Sequence, residues 1–541
     1  MPVIRFVLTV SSLALLSCSN NHPSPASDRH RLIINNDGTE ILGNNWFGNR
    51  PLTLDDVHGY VDMVANSQVT TFMICSGSDF FYYRSKYGRL MGDDLNGQLN
   101  CDDDTALSKA LHRFYNNAIR LEKEGTDIVE ASLKRAKEKN LEPFITYRMN
   151  DLHFSDTSNH CTLQYTDYWI AHPEFWTSDT TLPGWNATNA LDFAHPEVRE
   201  HKLAVIREQL EKYGPDLDGY ELDFMRFIVY FKKAEAEKNA PLMTSLVKSV
   251  KQVTDSIGKV YNKKILLTAR VPATMGDCIK KGLDVQEWTR QGLLDFLTIG
   301  IHWTGDPAID VASFKKELGS DLPVYVTIDD GGYRQRETWS HGMYRGMAAH
   351  ALGQGADGIM LFNYFLTVYN EANQKLVPEE GTDVCRIIAP ELLQELGSLK
   401  TLRKRNKVYC LSDGTTSYEV TINTPLPLSV NKEGNAALFI GDDVEADHPE
   451  EVTLFIRTSN AEQPVVEMNG ETLSPGDSTY AHVYDKLRGL QSDQKEWVFK
   501  VPVNSLIKGN NNIQFRSSAE TTILRVELAV KYGPVETNGY F

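Results

Sequence analysis

Cysteine is scarce in this chain, seven residues in 541, and it never clusters. Besides Cys18 there are Cys75, Cys101, Cys161, Cys278, Cys385 and Cys410. None forms a Cys-x-x-Cys pair or joins histidines at zinc-ligand spacing, so no metal site is indicated; buried free thiols with at most one disulfide are expected. Runs of Lys and Arg are missing too. The balance of 55 basic against 72 acidic residues gives a net charge of −17. A phosphate backbone must be met by clustered cations, which excludes nucleic acid as a partner. No G-x-G-x-x-G follows the first strand-like run, so the dinucleotide fingerprint is absent and no cofactor is expected. That run reads Leu32-Ile33-Ile34-Asn35-Asn36-Asp37, without the His-x-His that a metal-dependent hydrolase would place there.

What is present begins with a targeting segment. Arg5 gives a short positive start and residues 6–16 an apolar stretch, too short to span a bilayer as a mature helix. Leu15-Leu16-Ser17-Cys18 resembles the lipobox of bacterial lipoproteins, in which the cysteine is diacylated and becomes the new N-terminus. The resemblance implies a signal peptide over residues 1–18, lipidation of Cys18, and export to a membrane-anchored place in the periplasm or on the cell surface. The polar residues 19–29 would then be a tether.

A chain of this length exceeds what one hydrophobic core supports, so at least two domains are expected. Between residues 30 and 404, β-rich apolar runs alternate with amphipathic helical stretches, the signature of βα units. The strand-like runs are 32–35, 70–75, 143–147, 219–224, 265–269, 296–300, 324–328 and 358–362, with helical segments over 54–65, 106–139, 196–213, 242–261, 285–291, 308–318, 339–353 and 391–399. Eight such pairs fit a (β/α)8 TIM barrel better than a doubly wound open sheet. Residues 405–541 change grammar: short strands over 418–422, 436–440, 452–457, 465–468, 496–501, 512–516 and 523–532 indicate a C-terminal antiparallel β-sandwich. The two domains are expected to pack as separate cores, with the boundary between residues 400 and 413.

In a TIM barrel the chemistry sits at the C-terminal ends of the strands. The fourth run, Asp218-Gly219-Tyr220-Glu221-Leu222-Asp223, puts Glu221 and Asp223 on one face because side chains alternate along a strand. Two carboxylates aimed into a barrel are costly unless paired. Arg226 and Arg270, both near strand ends, are the expected counter-charges. Other strand ends are rich in hydrogen-bonding groups: Arg148, Asn150, Asp151 and His153 after the third, His302 and Trp303 after the sixth, and Asn363 and Tyr364 after the eighth. Asn35, Asn36 and Asp37 end the first. Sugars are held by planar polar side chains with an aromatic face against the ring, for which Trp303 is the preferred platform. Trp169, Trp176 and Trp185 lie in a long insertion that is expected to form a substrate wall.

His195-Pro196-Glu197-Val198-Arg199 followed by a helix and the Asp218-Gly219-x-x-x-Asp223 strand resembles the pattern of glycoside-hydrolase-like proteins related to family 10. Residues 141–147, 293–300 and 355–362 resemble the same group, so the likeness spans most of the barrel on short motifs. It implies that Asp223 is catalytic; Glu221 stands where those proteins often carry a non-acidic residue. Two carboxyl groups must flank a glycosidic bond, and the partner is expected among Asp329 and Asp330, ahead of Gly331-Gly332, with Asp306 as second choice. Glu221 is expected in close support, matched to a nearby buried cation. The chain is therefore expected to be a glycosidase acting on an oligo- or polysaccharide; the alternative is a non-catalytic surface glycan-binding lipoprotein. Its sandwich is expected to brace the barrel rather than bind sugar.

Overall fold

Runs such as Val324-Tyr325-Val326-Thr327-Ile328-Asp329 are buried at every position, as the strands of a parallel sheet covered on both faces are. Eight of them close into a ring: β1 (Arg31–Asn36), β2 (Thr71–Cys75), β3 (Glu142–Arg148), β4 (Gly219–Asp223), β5 (Leu266–Pro272), β6 (Phe296–Gly300), β7 (Val324–Asp329) and β8 (Gly358–Phe362). Each pairs in parallel with the next, and β8 returns to β1. The computed structural model describes residues 31–43, 50–91, 93, 106–153, 155–156, 166–184, 186–302, 306–329, 340–364, 366, 390–412, 424–477 and 494–534. Cys18, Cys101, Cys161, Trp185, Trp303, Asp330, Cys385 and the strand expected over 418–422 lie outside the described residues. Cys75 and Cys278 are buried free thiols, and Cys410 is buried.

The barrel interior is filled from the N-terminal end by Ile33, Met73, Phe144, Phe296, Tyr325, Met360 and Phe362. Beneath them Arg31 bonds Glu142 and the Tyr325 hydroxyl. Gly219 is required here: a Cβ on it would lie 2.0 Å from the Phe144 ring. The Asp-Gly that opens the fourth strand therefore makes room for an aromatic plug.

Two helical segments differ from expectation. The single helix expected over 106–139 is two, Ala106–Lys123 and Ile128–Glu138. Gly125 adopts φ +83° between them, and the Asp127 side chain accepts the Glu130 N–H at 2.8 Å, capping the second. In place of a helix over 391–399 there are a 3₁₀ turn, Pro390–Gln394, and one helical turn, Leu399–Leu402. Between them, Ser398 caps the later turn through its hydroxyl.

The C-terminal part is a sandwich of two antiparallel sheets. Its strands are β9 (Lys407–Cys410), β10 (Leu428–Val430), β11 (Glu433–Ile440), β12 (Glu451–Thr458), β13 (Val465–Met468), β14 (Glu471–Thr472), β15 (Ser474–Pro475), β16 (Lys495–Lys500), β17 (Gly509–Arg516) and β18 (Thr521–Lys531). One sheet runs β10-β18-β12-β16-β15 with β9 also on β18, the other β11-β17-β13-β14. Among the described residues no strand passes from sandwich to barrel. The apolar core is nevertheless one continuous cluster across the seam, where two were expected. The cause is the helix His341–Gly353, buried along nearly its whole length. One side lies on β7 and β8, the other on β9 and β11. Gly346 lets it approach: a Cβ there would lie 1.9 Å from the Val408 carbonyl oxygen.

Candidate functional site

Alternation along β4 sends Glu221 and Asp223 into the barrel, and both are fully buried. Their surroundings differ by one layer. Glu221, the deeper, accepts hydrogen bonds from Asn35 Nδ2 at 2.9 Å, Thr146 Oγ1 at 2.8 Å and Thr298 Oγ1 at 3.2 Å. Among the described residues its hydrogen bonds come from neutral donors on three other strands, and the expected nearby cation, Arg270, acts on it through charge rather than a bond. Burial, aided by the charge of Asp223, pushes its carboxyl up to about 7. Thr146 and Thr298 were not foreseen as its partners.

Asp223 sits at the rim. Its Oδ1 accepts both the Met225 N–H at 2.9 Å and Arg270 Nε at 2.9 Å. Its Oδ2 is buried with no hydrogen-bond partner among the described residues, and so is Nη2 of Arg270. Of the two cations expected to hold Asp223, it is Arg270 that does so. The Arg270 guanidinium lies 3.6 Å from the centroid of the Phe362 ring, a flat support that fixes its plane. On the other flank, Arg148 of β3 is the register partner of Asp223.

A second charged group adjoins this pair. Asp151 accepts Arg148 Nη1 at 3.1 Å and bonds His153 Nδ1 at 2.5 Å. Burial opposes its charge, but His153, Arg148 and Arg226 overcome that and hold its carboxyl far below the usual carboxylate range. Arg226 is fully buried; burial and the neighbouring Arg148 lower it to about 10, against the attraction of Asp151 and Asp329. His302, whose ring packs 4.9 Å from Phe227, is driven well down by burial, Arg226 and Arg270, so its imidazole is neutral. Asp329 closes β7, three strands from β4 around the ring, and is 3% exposed.

Several expected ligand-binding residues make bonds within the fold. Nδ2 of Asn150 donates to the carbonyls of Leu191 and Val229, bracing two loops. Asn36 bonds Glu40 and Tyr60, and Asp37 caps the short helix Thr39–Gly43. Asp306 accepts from Ala308 N–H and the Ser412 hydroxyl at the barrel–sandwich seam, where burial raises its carboxyl to about 6. The tryptophan wall does not open to a ligand at Trp169. That indole is 3% exposed, stacks on Trp176 at 4.3 Å, and donates to the Asn189 carbonyl. Tyr364 is buried edge-on to Tyr344. Asn363, in the left-handed region at φ 52°, keeps a buried Oδ1 with no partner, as does Asn35.

The strand ends thus gather two charged clusters and several buried polar atoms, donors and acceptors together, that lack partners among the described residues. Buried polar groups are nearly always bonded, and this concentration of unsatisfied atoms sets the strand ends apart from the rest of the barrel. Among the described residues, no group of His, Cys, Asp and Glu has the arrangement to hold a metal ion. No protein-family model matches the chain, and no curated protein sequence does. Solved structures with similarity to it are glycoside hydrolases on TIM barrels, and they do not single out family 10. The glycoside hydrolase domain of PgaB (BpsB) from Bordetella bronchiseptica aligns at 10% identity and TM-score 0.40, over 69% of this chain and 99% of that one. An alpha-fucosidase from Thermotoga maritima aligns at 12% and 0.32, over 88% and 81%. A cycloisomaltooligosaccharide glucanotransferase from Paenibacillus sp. aligns at 10% and 0.33 over 92% of this chain, which spans only 57% of that enzyme's length.

Proposed function

We propose that the protein is a glycoside hydrolase, with Asp223 and Asp329, or the adjacent Asp330, as its two carboxyl groups. One observation carries this reading. Asp223 spends both of its hydrogen bonds on Oδ1 and leaves a fully buried Oδ2 bare at the mouth of the barrel. A carboxylate held by one oxygen offers the other to a reacting atom. Nη2 of Arg270 and the Oδ1 atoms of Asn35 and Asn363, without hydrogen-bond partners among the described residues, together with Nη2 of Arg148, which ion-pairs with Asp37 at 3.8 Å, supply the mixed donors and acceptors that hydroxyl groups match. Held as an ion pair with Arg270, Asp223 takes the role of nucleophile or base, and its partner from β7 that of acid. Glu221 has no such role: its bonds go to Asn35, Thr146 and Thr298, and it supports Asp223 from below.

The test is turnover of a panel of aryl glycosides and oligosaccharides by wild type and Asp223→Asn. Losing a positioned acid or base lowers rate by about 10²–10⁴-fold, with an unchanged circular dichroism spectrum. Near-normal turnover in a folded Asp223→Asn protein overturns the assignment. Binding across the panel with no turnover by wild type would favour the non-catalytic glycan-binding alternative.

A further inference from the structure

We infer that the protein carries a second carbohydrate site, one that takes an anionic sugar, on the flank of the barrel mouth. This extends the glycan reading above to a place apart from Asp223. A cavity of about 400 Å³ is lined by Arg50, Pro51, Arg113, Asn116, Asn117, Ile119, Arg120 and Lys123. Four cations around one hollow are unusual on a chain with a net charge of −17.

Arg50 is committed to Asp56, bonding both carboxylate oxygens. The other three are not neutralised. Arg113 gives only its Nε, to the Gly43 carbonyl, and Arg120 and Lys123 have no ion pair among the described residues. All three follow one face of the helix Ala106–Lys123, at spacings of seven and three residues. The last two lie where cations favour a helix C-terminus in any case, but Arg113 lies mid-helix, too far from that end.

The cavity wall is fixed. Asn117 is buried, donates to the Leu42 carbonyl and accepts the Leu52 N–H. That bond ties the helix to Thr39–Gly43, which directly follows β1 and so leaves the barrel at the end where Asp223 lies.

The lining selects the ligand. Guanidinium forks match the planar or tetrahedral oxygens of carboxylate and sulfate. Asn116 is exposed, with its amide available to a hydroxyl, and Pro51 and Ile119 offer small apolar surfaces to a ring's C–H face. The volume is within the range of small-molecule sites and far beyond what a free oxyanion fills. A uronate or sulfated residue of a longer glycan fits all of these.

Binding is measured by calorimetry on the wild-type protein and an Arg120→Ala/Lys123→Ala variant. The probes are an oligogalacturonate, a sulfated oligosaccharide, a neutral oligosaccharide of equal length, and inorganic phosphate. Both changed side chains are exposed and alanine is the best helix former, so the variant folds. An anionic oligosaccharide should bind at least about tenfold more tightly than the neutral one. It should weaken at least about tenfold in the variant and again between 20 and 300 mM salt, as charge-assisted contacts do. Equal binding of the neutral probe, undiminished binding by the variant, phosphate binding as tightly as the oligosaccharides, or no binding of either anionic probe at millimolar concentration each overturns the proposal. Because only binding is read, the result is independent of whether Asp223 cleaves anything.

Discussion

Replacing Glu221 by Gln should stabilise the protein at alkaline pH and leave it nearly unchanged at acid pH. The carboxyl has an ordinary value of 4.5 and is pushed to about 7 in the fold. Between those two values the folded chain binds a proton that the unfolded chain has released, so stability falls as pH rises through that window and stays low above it. At roughly 1.4 kcal/mol per pH unit the cost of ionising Glu221 in place is about 3 kcal/mol above pH 7. Glutamine does not ionise, and the site can take it. Its carbonyl keeps the bonds from Asn35 and Thr146, while its amide donates to Thr298 Oγ1. That hydroxyl can turn its proton to the Ala269 carbonyl, 3.4 Å away. The assay is urea denaturation of both proteins from pH 5 to 9. The difference between them reads Glu221 together with its coupling to Asp223, because groups remote from it, such as Asp306, are common to both. The expected difference is about 1 kcal/mol at pH 5 and grows to about 3 kcal/mol in favour of the variant by pH 8.5. A variant destabilised equally at every pH, or most destabilised at high pH, refutes the reasoning and makes Glu221 a counter-charge for Arg270.

Arg270→Met should cost about 3–5 kcal/mol, since it leaves Asp223 as a buried charge without its ion-pair partner, and adding Asp223→Asn to it should recover part of the loss in a denaturation experiment. Gly346→Ala sets a methyl against the Val408 carbonyl oxygen, a backbone atom that cannot step aside; a loss of about 1–3 kcal/mol or more is expected, read as a lower Tm. We propose that Cys18 is lipidated, and Cys18→Ala should then move the protein from the membrane fraction to the soluble one; retention on the membrane would point to another anchor.

The barrel was legible because its signal is local and repeated. Each of the eight runs is a short apolar segment between turn residues, and burial on both faces makes such a run continuous rather than alternating. Where expectation erred, a local signal lost to a competing one. Gly125 and Asp127 stop one helix and start another inside a stretch whose apolar period reads through both. The continuous core at the seam was not legible. It depends on Gly346 in a helix and Val408 in a strand meeting without a side chain between them, and nothing near either residue in sequence announces the other.

The site divides in the same way. That Glu221 and Asp223 point inward follows from alternation and needs only the strand assignment. What distinguishes them does not. Asn35 reaches Glu221 across 186 residues and Thr298 across 77, contacts that exist only once β8 has closed on β1 and the ring has brought every strand to one axis. Two carboxylates two residues apart thus acquire opposite properties from opposite surroundings. Burial and the charge of Asp223 outweigh the hydroxyl donors around the deeper one, which favour its ionised form, so it holds its proton toward neutral pH. The upper one meets a backbone N–H and a guanidinium on one oxygen and nothing on the other. A carboxylate buried and half-bonded in this way is costly to a fold that gains nothing from it. A ligand that bonds Oδ2 removes that cost on binding, and this is the physical reason to look for the chemistry at Asp223 rather than at Glu221.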